Sequence, residues 1–413
     1  MRRLIRDTAL GSIVRTATRN KFLKFEEERE SFQLPDSYLN TSFLRHKHHH
    51  GSSAVVVPAA IDKGPEHAVV ESKEDLDGSG QEMGIEALEP VARVDTRVDL
   101  EKVTSQADLE KAFTNATLKK QPTTPIVPTL TSDGHILVDW YTTDDQENPQ
   151  NWSMAKKNFV AFLICIYTFS VYIGSAIYTP STVAVTQVFG VSLTAASLGL
   201  ALYVLGYGTG PLIFSPLSEI PFVGRNVPYI LTFGMFVILC VPTALVDNFA
   251  GLLVLRFLQG FFGSPCLATG GATFGDMYNI LQLPFVLTFW VASATGGPSL
   301  GPIISGFSVP AENWRWSLWE MLWIAGPVFI LLFTFLPETS AENILLRRAA
   351  RLRKLTGSDK FRSQSEIDQQ KLKASTLLVH ALWKPMQITF LDPAIAFATV
   401  YSSLTYGVSC RIL

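Results

Sequence analysis

Residues 158–178, NFVAFLICIYTFSVYIGSAIY, form a run of 21 residues that contains no charged side chain. A helix needs about 20 predominantly apolar residues to cross the hydrocarbon core of a bilayer, so this run is long enough to do so. It is the first of six such runs, which lie approximately at 158–178, 194–218, 227–246, 250–274, 284–309 and 318–336. Because the connections between them are short, the sequence predicts an all-α membrane protein built on a six-helix bundle.

Lysine and arginine are almost missing from this part of the chain. Residues 158–336 contain three of them, Arg225, Arg256 and Arg315, whereas residues 1–155 carry 18 Lys/Arg and 25 Asp/Glu. An ordinary soluble domain would not exclude cations in this way. A charge in hydrocarbon costs about 3 kcal/mol or more, so the few that remain are candidates for function. The net charge of -2 and the mean hydropathy of +0.23 average two unlike parts, and neither points to nucleic acid as a partner.

The basic residues that flank the runs predict the orientation. Lys156 and Lys157 stand directly before the first run, and residues 337–391 hold ten Lys/Arg. Five of these ten cluster near the start of that loop: Arg347, Arg348, Arg351, Arg353 and Lys354. The first, third and fifth connections hold only Arg315. By the positive-inside rule we expect a multi-pass plasma-membrane protein whose N-terminus and 337–391 loop are cytoplasmic.

A seventh apolar stretch begins near Asp392 and stops at Val408, which is barely long enough to cross a bilayer. A crossing would also leave Arg411 outside, against the charge rule. We therefore expect a partial seventh helix with an aberrant C-terminus. The predicted organisation is a tail, a six-helix bundle, a basic cytoplasmic loop and this last segment, at 1–155, 156–338, 339–391 and 392–413.

The N-terminal tail is expected to be cytosolic and largely disordered, since residues 51–150 are rich in polar residues, proline and glycine and lack sustained periodicity. Residues 1–25 differ, because they combine seven Lys/Arg with interleaved apolar residues and one acid. This pattern favours an amphipathic helix on an anionic leaflet or a regulatory segment, with a mitochondrial transit peptide as the rival interpretation. The run His46–His50 would bind a metal weakly, but a solvated low-complexity tract is the favoured interpretation.

Nothing in the sequence indicates an enzyme. There is no phosphate-binding loop, no metal-spaced Cys/His cluster and no pair of carboxylates predicted to share a cavity, so we predict no cofactor and no metal. The cysteines all fall in apolar segments without a paired spacing, which indicates small packing residues rather than disulfides. They are Cys165, Cys240, Cys266 and Cys410.

Glycines recur at intervals that suit close packing of membrane helices. Gly206 with Gly210, and Gly297 with Gly301, are pairs of small residues four apart, which let two helices approach closely in lipid. The first pair is expected to be a packing seam only. The second lies in GGPSLGPIISG, residues 296–306, where prolines bend a helix and free backbone carbonyls. A membrane bundle tolerates this where neighbouring helices satisfy the freed groups.

The charged residues of the bundle have alternative interpretations. Arg256, in the fourth run, either snorkels to the interface or faces a watery cavity and biases proton movement. Glu219 and Arg225 flank Gly224 in a short connection, which suits a tight turn with an exposed charge pair. Such a pair adds little stability, so its value would be as a latch between conformations. Asp276 is expected to be a capping or solvated residue.

Taken in order, several short motifs resemble the major facilitator superfamily, and within it the fungal drug:proton antiporters, which include multidrug and polyamine exporters. The resemblance runs from about Asn148 to Val408 and depends on the order and spacing of the motifs rather than on any one of them. The motifs are Asn148–Ser153, Tyr178–Ser181, Gly210–Asn226, Arg256 with Gln259 and Gly260, Gly297–Gly306, and Pro337–Thr339.

The resemblance implies roles for individual residues. Arg256 would couple transport to protons, and Glu219, Gly224 and Arg225 would form the inward gate. The antiporter motif of the fifth helix would comprise Gly297, Pro298, Gly301, Pro302 and Gly306. The candidate substrate cavity, where aromatic rings stack on flat cations, would be lined by Tyr172, Tyr203, Tyr207 and Gln259. Two departures are that Glu219 replaces the usual aspartate and that only Arg225 remains of the second basic pair.

The family that this chain resembles has twelve helices in two halves, with the substrate held between them. This chain ends within the seventh helix, and Ser409–Leu413 does not continue the family pattern, which indicates a truncated or altered reading frame. We expect proton-coupled efflux of hydrophobic or cationic drugs, xenobiotics or polyamines, with membrane lipid, protons and the small-molecule substrate as partners. Two alternatives stay open. One is a transport-inactive or regulatory half-transporter that pairs with itself or a full-length relative through its uncovered half-interface, and the other is a solute uptake carrier.

Overall fold

The structure is a computed structural model. It describes residues 5–35, 38, 123–131, 133–370, 383, 387 and 391–412, with the side chains of the last helix as far as residue 405. Residues Met1–Gln33 and Thr124–Leu413 form one compact unit, and Leu34–Thr123 forms a second that lies almost wholly outside the described residues. The predictions for His46–His50 and for disorder between residues 51 and 122 therefore fall outside the described residues as well.

The described part of the chain is mainly helical. The helices of the N-terminal segment and the bundle are α1 (Ala9–Ala17), α2 (Met154–Ala176), α3 (Thr182–Phe189), α4 (Leu193–Thr209), α5 (Pro211–Glu219), α6 (Asn226–Leu245), α7 (Phe249–Gly263), α8 (Pro265–Met277), α9 (Leu283–Ala311) and α10 (Trp316–Phe335). After the bundle come α11 (Ala341–Thr356), α12 (Gln364–Gln370) and α13 (Pro393–Ile412). Two short strands, β1 (Ile136–Leu137) and β2 (Phe361–Arg362), pair in parallel.

Helix boundaries in the bundle fall where the sequence offers caps and breakers. The side chains of Ser192 and Asn248 accept hydrogen bonds from first-turn amides of α4 and α7. Pro211 and Pro265 each take the first position of a helix, where the missing N–H would have had no partner. Gly190 ends α3 in the left-handed conformation, at a φ of 64°.

Five helical segments are long and apolar enough to cross a membrane. They are Met154–Phe189, Leu193–Glu219, Asn226–Leu245, Phe249–Met277 and Trp316–Phe335. Helix α9, the fifth predicted crossing, is less hydropathic because it is rich in Gly, Pro, Ser and Thr, yet its 29 residues carry no charge. At 1.5 Å per residue it is about 44 Å long, which exceeds the hydrocarbon core. All six apolar runs thus lie in helices, which confirms the all-α membrane fold.

Both glycine pairs lie at helix contacts, as the sequence predicts. A Cβ added at Gly206 in α4 would lie 2.8 Å from the Phe261 amide nitrogen in α7. A Cβ at Gly297 in α9 would lie 2.8 Å from the Ile173 nitrogen in α2, and Gly301 meets α2 one turn further on. These two seams, α4–α7 and α9–α2, bring backbones together and set the packing of the bundle.

Aromatic side chains fill the centre of the bundle. The rings of Tyr167 and Phe233 are 4.4 Å apart at their centroids, and Phe236 stacks on Phe233 at 5.6 Å. Cys240 and Cys266 are buried within the same apolar core as free cysteines, where they act as packing residues.

Outside the bundle, residues 5–33, 124–153 and 337–370 form what we call the charged cap, and within it Arg348 on α11 is the central residue. The side chain of Arg348 is 1% exposed, and it pairs with Asp145 at 2.7 Å and with Glu147 at 3.0 Å. Its guanidinium carbon also lies 4.2 Å from the centroid of the Tyr141 ring. Nearby, Ile136 of β1 pairs with Phe361 of β2, which joins the two chain segments that flank the bundle.

The charged cap gives order to residues 26–33 and 124–153 of a tail that the sequence predicts to be largely disordered, whereas the amphipathic helix favoured within residues 1–25 is present as α1. These residues lack sustained apolar periodicity, and ion pairs between distant parts of the chain hold them beside a few buried apolar residues such as Ile136 and Phe361. Glu27, for example, is buried and pairs with Arg351, which lies 324 residues later. A window of consecutive residues does not contain that information.

The predicted seventh helix forms as α13. It has 20 residues, a length of about 30 Å, and the carboxylate of Asp392 caps the amide of Ala394 at 2.9 Å.

Candidate functional site: a buried arginine and the charged turn

Arg256 lies on α7 in the interior of the bundle, and its side chain is fully buried. Its guanidinium donates hydrogen bonds to the carbonyl of Gly174 at 2.8 Å and to that of Gly199 at 3.3 Å. A third nitrogen lies 3.4 Å from the sulfur of Met321. Because protein encloses the whole side chain, this arrangement is at odds with the interpretation in which Arg256 snorkels to the interface.

Two tyrosine rings flank the guanidinium of Arg256. The centroids of Tyr203 and Tyr178 lie 4.6 Å and 5.0 Å from its central carbon, within the range of cation–π attraction. Each ring is held by its hydroxyl, which donates to the carbonyl of Val171 at 2.7 Å and to that of Ala196 at 3.1 Å, respectively.

Glycine at two positions makes this geometry possible. A Cβ at Gly199 would lie 2.8 Å from the Tyr178 ring, and one at Gly174 would lie 2.6 Å from the Tyr203 hydroxyl. Gly174 is also in the last turn of α2, where helix carbonyls have no intrahelical donor, so its oxygen is free to accept from Arg256. The tyrosines reach the arginine only because both positions lack a side chain.

Within the spans that the structure describes, no carboxylate pairs with Arg256. One turn along α7, Gln259 is 1% exposed, and its side-chain oxygen has no hydrogen-bond partner. A cation held by neutral groups at low dielectric is costly, and ionisable residues inside a bundle generally mark an ion or substrate path. Chemically, this site would attract a negative charge and disfavour a second positive one.

The structure separates the residues of the predicted substrate cavity. Tyr203 and Gln259 are buried in the packing around Arg256 and do not line an open cavity, because the α4–α7 seam closes over them. Tyr207 is 5% exposed and lies 5.5 Å from the ring of the half-buried Tyr172. The assignment of these four residues to a substrate cavity stays a prediction.

An open cavity of 720 Å³ lies instead between α2 and α9. Its lining is mainly apolar and aromatic, as at Phe289, with polar groups from Asn158 and Gln282. The Tyr278 hydroxyl donates to Asn158 at 3.0 Å at this site. One signal for this cavity was present in the sequence, since polar residues at the ends of two apolar runs suit a polar cavity mouth.

In the turn between α5 and α6, the ion-pair partner of Arg225 is Asp276, not Glu219 as the sequence predicts. The Nε of Arg225 lies 2.5 Å from a carboxylate oxygen of Asp276, at the end of α8. Glu219 makes no ion pair within the described part of the chain. The reason is geometric, because Gly224 turns left-handed at a φ of 73° and directs the chain after it toward α8.

The pKa of Arg225 reflects this pairing. Burial alone would lower the pKa, but the hydrogen bond and negative charge of Asp276 raise it above the ordinary value for arginine. The guanidinium therefore stays charged at physiological pH.

Glu338 is a residue of the turn region that sequence reasoning did not single out as functional. It is 3% exposed, and its carboxylate accepts hydrogen bonds from the amides of Arg225 (3.0 Å), Asn226 (3.2 Å), Thr339 (3.0 Å) and Ser340 (2.9 Å). It thus places negative charge at the N-terminal ends of both α6 and α11, where helix dipoles favour it. Its place in the motif after α10 was the only signal.

The residues of the predicted antiporter motif lie on one continuous helix, α9. Gly297 and Gly301 pack against α2, whereas Gly306 is exposed and a Cβ there would meet nothing within 4 Å. Pro298 and Pro302 are half-buried within the helix. The motif therefore contains two packing positions and one that is open on this half of the molecule.

A bundle of apolar helices around a buried cation, with charged turns at one end, is the architecture of a multi-pass membrane protein. Comparison with known proteins agrees. The family model of the Major Facilitator Superfamily matches residues 164–410, which is more than half of the chain. The chain belongs to this superfamily.

Several fungal transporters are similar to this chain. The MFS-type transporter pyvG of Aspergillus violaceofuscus is 50% identical over 68% of this chain and 52% of its own length. The cycloheximide resistance protein of Candida maltosa is 42% identical over 66% of this chain and 50% of its own length. Fluconazole resistance protein 1 of Saccharomyces cerevisiae is 43% identical over 65% of this chain and 49% of its own length. The chain spans about half the length of the curated relatives it matches.

Proposed function

We propose that this chain provides the N-terminal half of a proton-coupled exporter of hydrophobic or cationic drugs, xenobiotics or polyamines. The observation that carries the proposal is the buried guanidinium of Arg256, whose partners among the described residues are all neutral groups. Similar proteins that are named for resistance to cycloheximide and fluconazole, and as multidrug transporters, support the substrate class. Export is the favoured direction because the glycine and proline pattern of α9 resembles that of antiporters.

In this mechanism Arg256 acts through its fixed charge. A cation without a counter-ion favours the deprotonated state of any carboxylate brought near it and repels a cationic substrate. Protonation and substrate release would therefore alternate as two bundles rock about a midplane site. The second bundle would supply the other half of that site.

The turn between α5 and α6 would act as the inward latch. Arg225 links it to α8 through Asp276, and Glu338 links it to the end of α10 and the start of α11. Opening would require these hydrogen bonds to break together. We place this turn, the charged cap and the N-terminus on the cytoplasmic side of the plasma membrane, on the positive-inside rule.

One observation favours a second candidate, a half-transporter that associates with itself or with a full-length relative. Helix α9 carries large exposed aromatic residues, with Phe285 70%, Phe289 72% and Phe307 80% exposed. On a membrane helix such a face contacts lipid or another helix, and in this candidate a partner bundle replaces the lipid there. It is the face that the cavity between α2 and α9 opens onto.

Efflux of a fluorescent cationic dye from yeast cells tests both candidates. This chain is expressed alone and, in parallel, joined to the second half of a full-length relative. Export by the joined protein that Arg256→Ala abolishes, with surface expression kept, supports the proposal. Arg256→Lys is the matched control, since it keeps the charge but loses the two-carbonyl geometry. Normal efflux by the Arg256→Ala variant would show that Arg256 has no role in the mechanism. If neither the chain alone nor the joined protein exports the dye, the half-transporter is favoured.

A further inference from the structure

The N-terminal helix α1 is fixed to the ends of two membrane helices. The Glu338 amide donates to the Asp7 carbonyl at 3.0 Å, and Thr8 pairs with Pro337, two residues beyond the end of α10. Helix α1 also packs against α6 and α10 themselves. It therefore starts at the level where these two helices leave the hydrocarbon, which is the depth of the lipid headgroups.

The apolar stripe of α1 is only partly covered by protein. Leu10, Ile13, Val14 and Ala17 follow the spacing of one helix face, and none of the four is buried. The side chain of Ile13 is 55% exposed. Gly11, on a flank of the helix, is buried against the backbone of Arg6 in the preceding turn. An amphipathic helix that keeps its apolar face open at headgroup depth suits the surface of a bilayer.

A rigid loop continues this surface beyond α1. Phe22 at its tip is 66% exposed. Arg15 closes the loop with two bonds to Glu28, at 2.7 Å and 2.8 Å, and a third to the Leu23 carbonyl at 2.7 Å. Phe25, packed under Arg15 at 4.4 Å, anchors the base.

The backbone of this loop is held in a conformation that side chains rarely adopt. Arg19, Asn20 and Leu23 all have positive φ values, of 49°, 60° and 56°. Such strain persists only where the surrounding contacts over-determine it, and it clusters at functional sites. The contacts around the loop therefore hold Phe22 in its exposed position.

The charge beside Phe22 selects the kind of surface. Arg19, Lys21 and Lys24 are exposed, and none of them makes an ion pair with any residue that the structure describes. Three exposed cations around an exposed aromatic ring match a layer of anionic headgroups above an apolar interior. A neutral bilayer surface would offer these cations no comparable electrostatic attraction.

We propose that α1 and the loop at residues 19–24 form an interfacial anchor that binds a bilayer surface bearing anionic phospholipid. The lipid-facing surfaces of α6 and α10 continue directly into this anchor, since α1 packs on their ends. The anchor would hold the charged cap against the membrane, and thereby hold α11, to which the loop is tied through Glu27 and Arg351. It does not depend on proton coupling or on the identity of a transported substrate.

Photo-crosslinking tests the proposal with the full chain in lipid nanodiscs. A benzophenone amino acid replaces Phe22, and a second version carries it at Lys360, an exposed position elsewhere on the charged cap. Nanodiscs are made of phosphatidylcholine alone or with one-third phosphatidylserine. We expect phospholipid adducts at position 22, enriched about tenfold with phosphatidylserine, and few at position 360.

A charge variant separates the two parts of the proposal. The triple change Arg19→Ser, Lys21→Ser and Lys24→Ser should abolish the preference for phosphatidylserine while adducts in pure phosphatidylcholine remain. Equal adduct yields in both lipids for the unchanged loop would refute the anionic preference. Adducts to protein alone at position 22, in material that elutes as a folded species, would refute the anchor itself.

Discussion

At the scale of single residues, the candidate site shows how a bundle holds a buried charge that has no counter-ion among the described residues. Arg256 uses the carbonyls of Gly174 and Gly199, which other residues at these positions would also possess. What glycine adds is space, because the rings of Tyr178 and Tyr203 occupy the volume that side chains would fill. The role of these glycines therefore lies in their missing Cβ atoms rather than in backbone freedom.

The substitution Gly199→Ala should therefore displace Tyr178. Its Cβ would lie 2.8 Å from a buried, hydrogen-bonded ring, so we expect a loss of about 1–3 kcal/mol in the free energy of unfolding. Gly208→Ala on the same helix is the matched control, since a Cβ there meets nothing within 4 Å, and it should be neutral or stabilising by up to about 1 kcal/mol. Thermal unfolding in detergent measures both. Equal midpoints for the two variants would show that the tyrosine does not need this space.

In the charged cap, Asp145 carries a pH-dependent part of the stability. Burial alone would raise the pKa of Asp145, but the charge and hydrogen bond of Arg348 lower it below its ordinary value of 3.8. A carboxylate whose pKa is lower in the folded state stabilises the fold above its unfolded pKa, and this contribution is lost as pH falls through the folded pKa. The pKa of Glu147 shifts in the opposite direction. Burial raises it, the positive charge of Arg348 opposes the rise, and the negative charge of Glu27 adds to it.

We therefore expect Asp145→Asn to lower the stability of the charged cap by about 1–3 kcal/mol at pH 7 and to have a shrinking effect below about pH 3.8. Limited proteolysis of residues 124–150, compared with the parent at each pH, measures the difference. Asp144→Asn is the neighbouring control, because Asp144 is exposed and should leave the cleavage rate unchanged. A constant difference across the whole pH range would contradict the assignment.

At the scale of elements, the helices were predictable and their tertiary partners were not. The six apolar runs give the helices because chain length and apolar content decide a crossing locally. The pairing of Arg225 with Asp276 joins residues 51 apart, and Glu338 accepts from an amide 112 residues away. No pattern within one segment encodes such distances. The same limit explains why the sequence predicts Glu219 as the partner, since it is the nearest carboxylate along the chain.

Helix α9 gives a prediction that separates packing from function within one motif. Gly301→Ala would place a Cβ 2.9 Å from a backbone nitrogen of α2, so we expect destabilisation by about 1–3 kcal/mol. Gly306→Ala meets nothing within 4 Å and should leave the unfolding midpoint unchanged. Both variants are compared by thermal unfolding and, in the protein joined to a second half, by dye efflux. Loss of efflux with an unchanged midpoint in Gly306→Ala would place the function of that glycine in the contact between halves.

At the scale of the whole molecule, the bundle and the charged cap follow different physical rules. The bundle is specified by the length of its apolar runs and by its glycine seams, and both can be recognised within single segments of the sequence. The cap is specified by ion pairs such as that of Arg348 with Asp145, between chain segments that the entire bundle separates. The charged residues of the cap also predict the orientation of the bundle in the membrane, because the cap concentrates basic side chains at one end of it.

The side of the membrane that each end faces is the last prediction, and it rests on this asymmetry. With Lys156, Lys157 and the cations of α11 retained inside, Gly190 between α3 and α4 should lie outside. A glycosylation acceptor inserted at Gly190 should then be modified in yeast, and one inserted at Gly357, after α11, should not. Both positions are left-handed glycines at helix ends with no neighbour within 4 Å of an added Cβ, so the two insertions are structurally matched. Modification at both positions would contradict the six-crossing topology. Modification at Gly357 alone would show that the orientation is reversed.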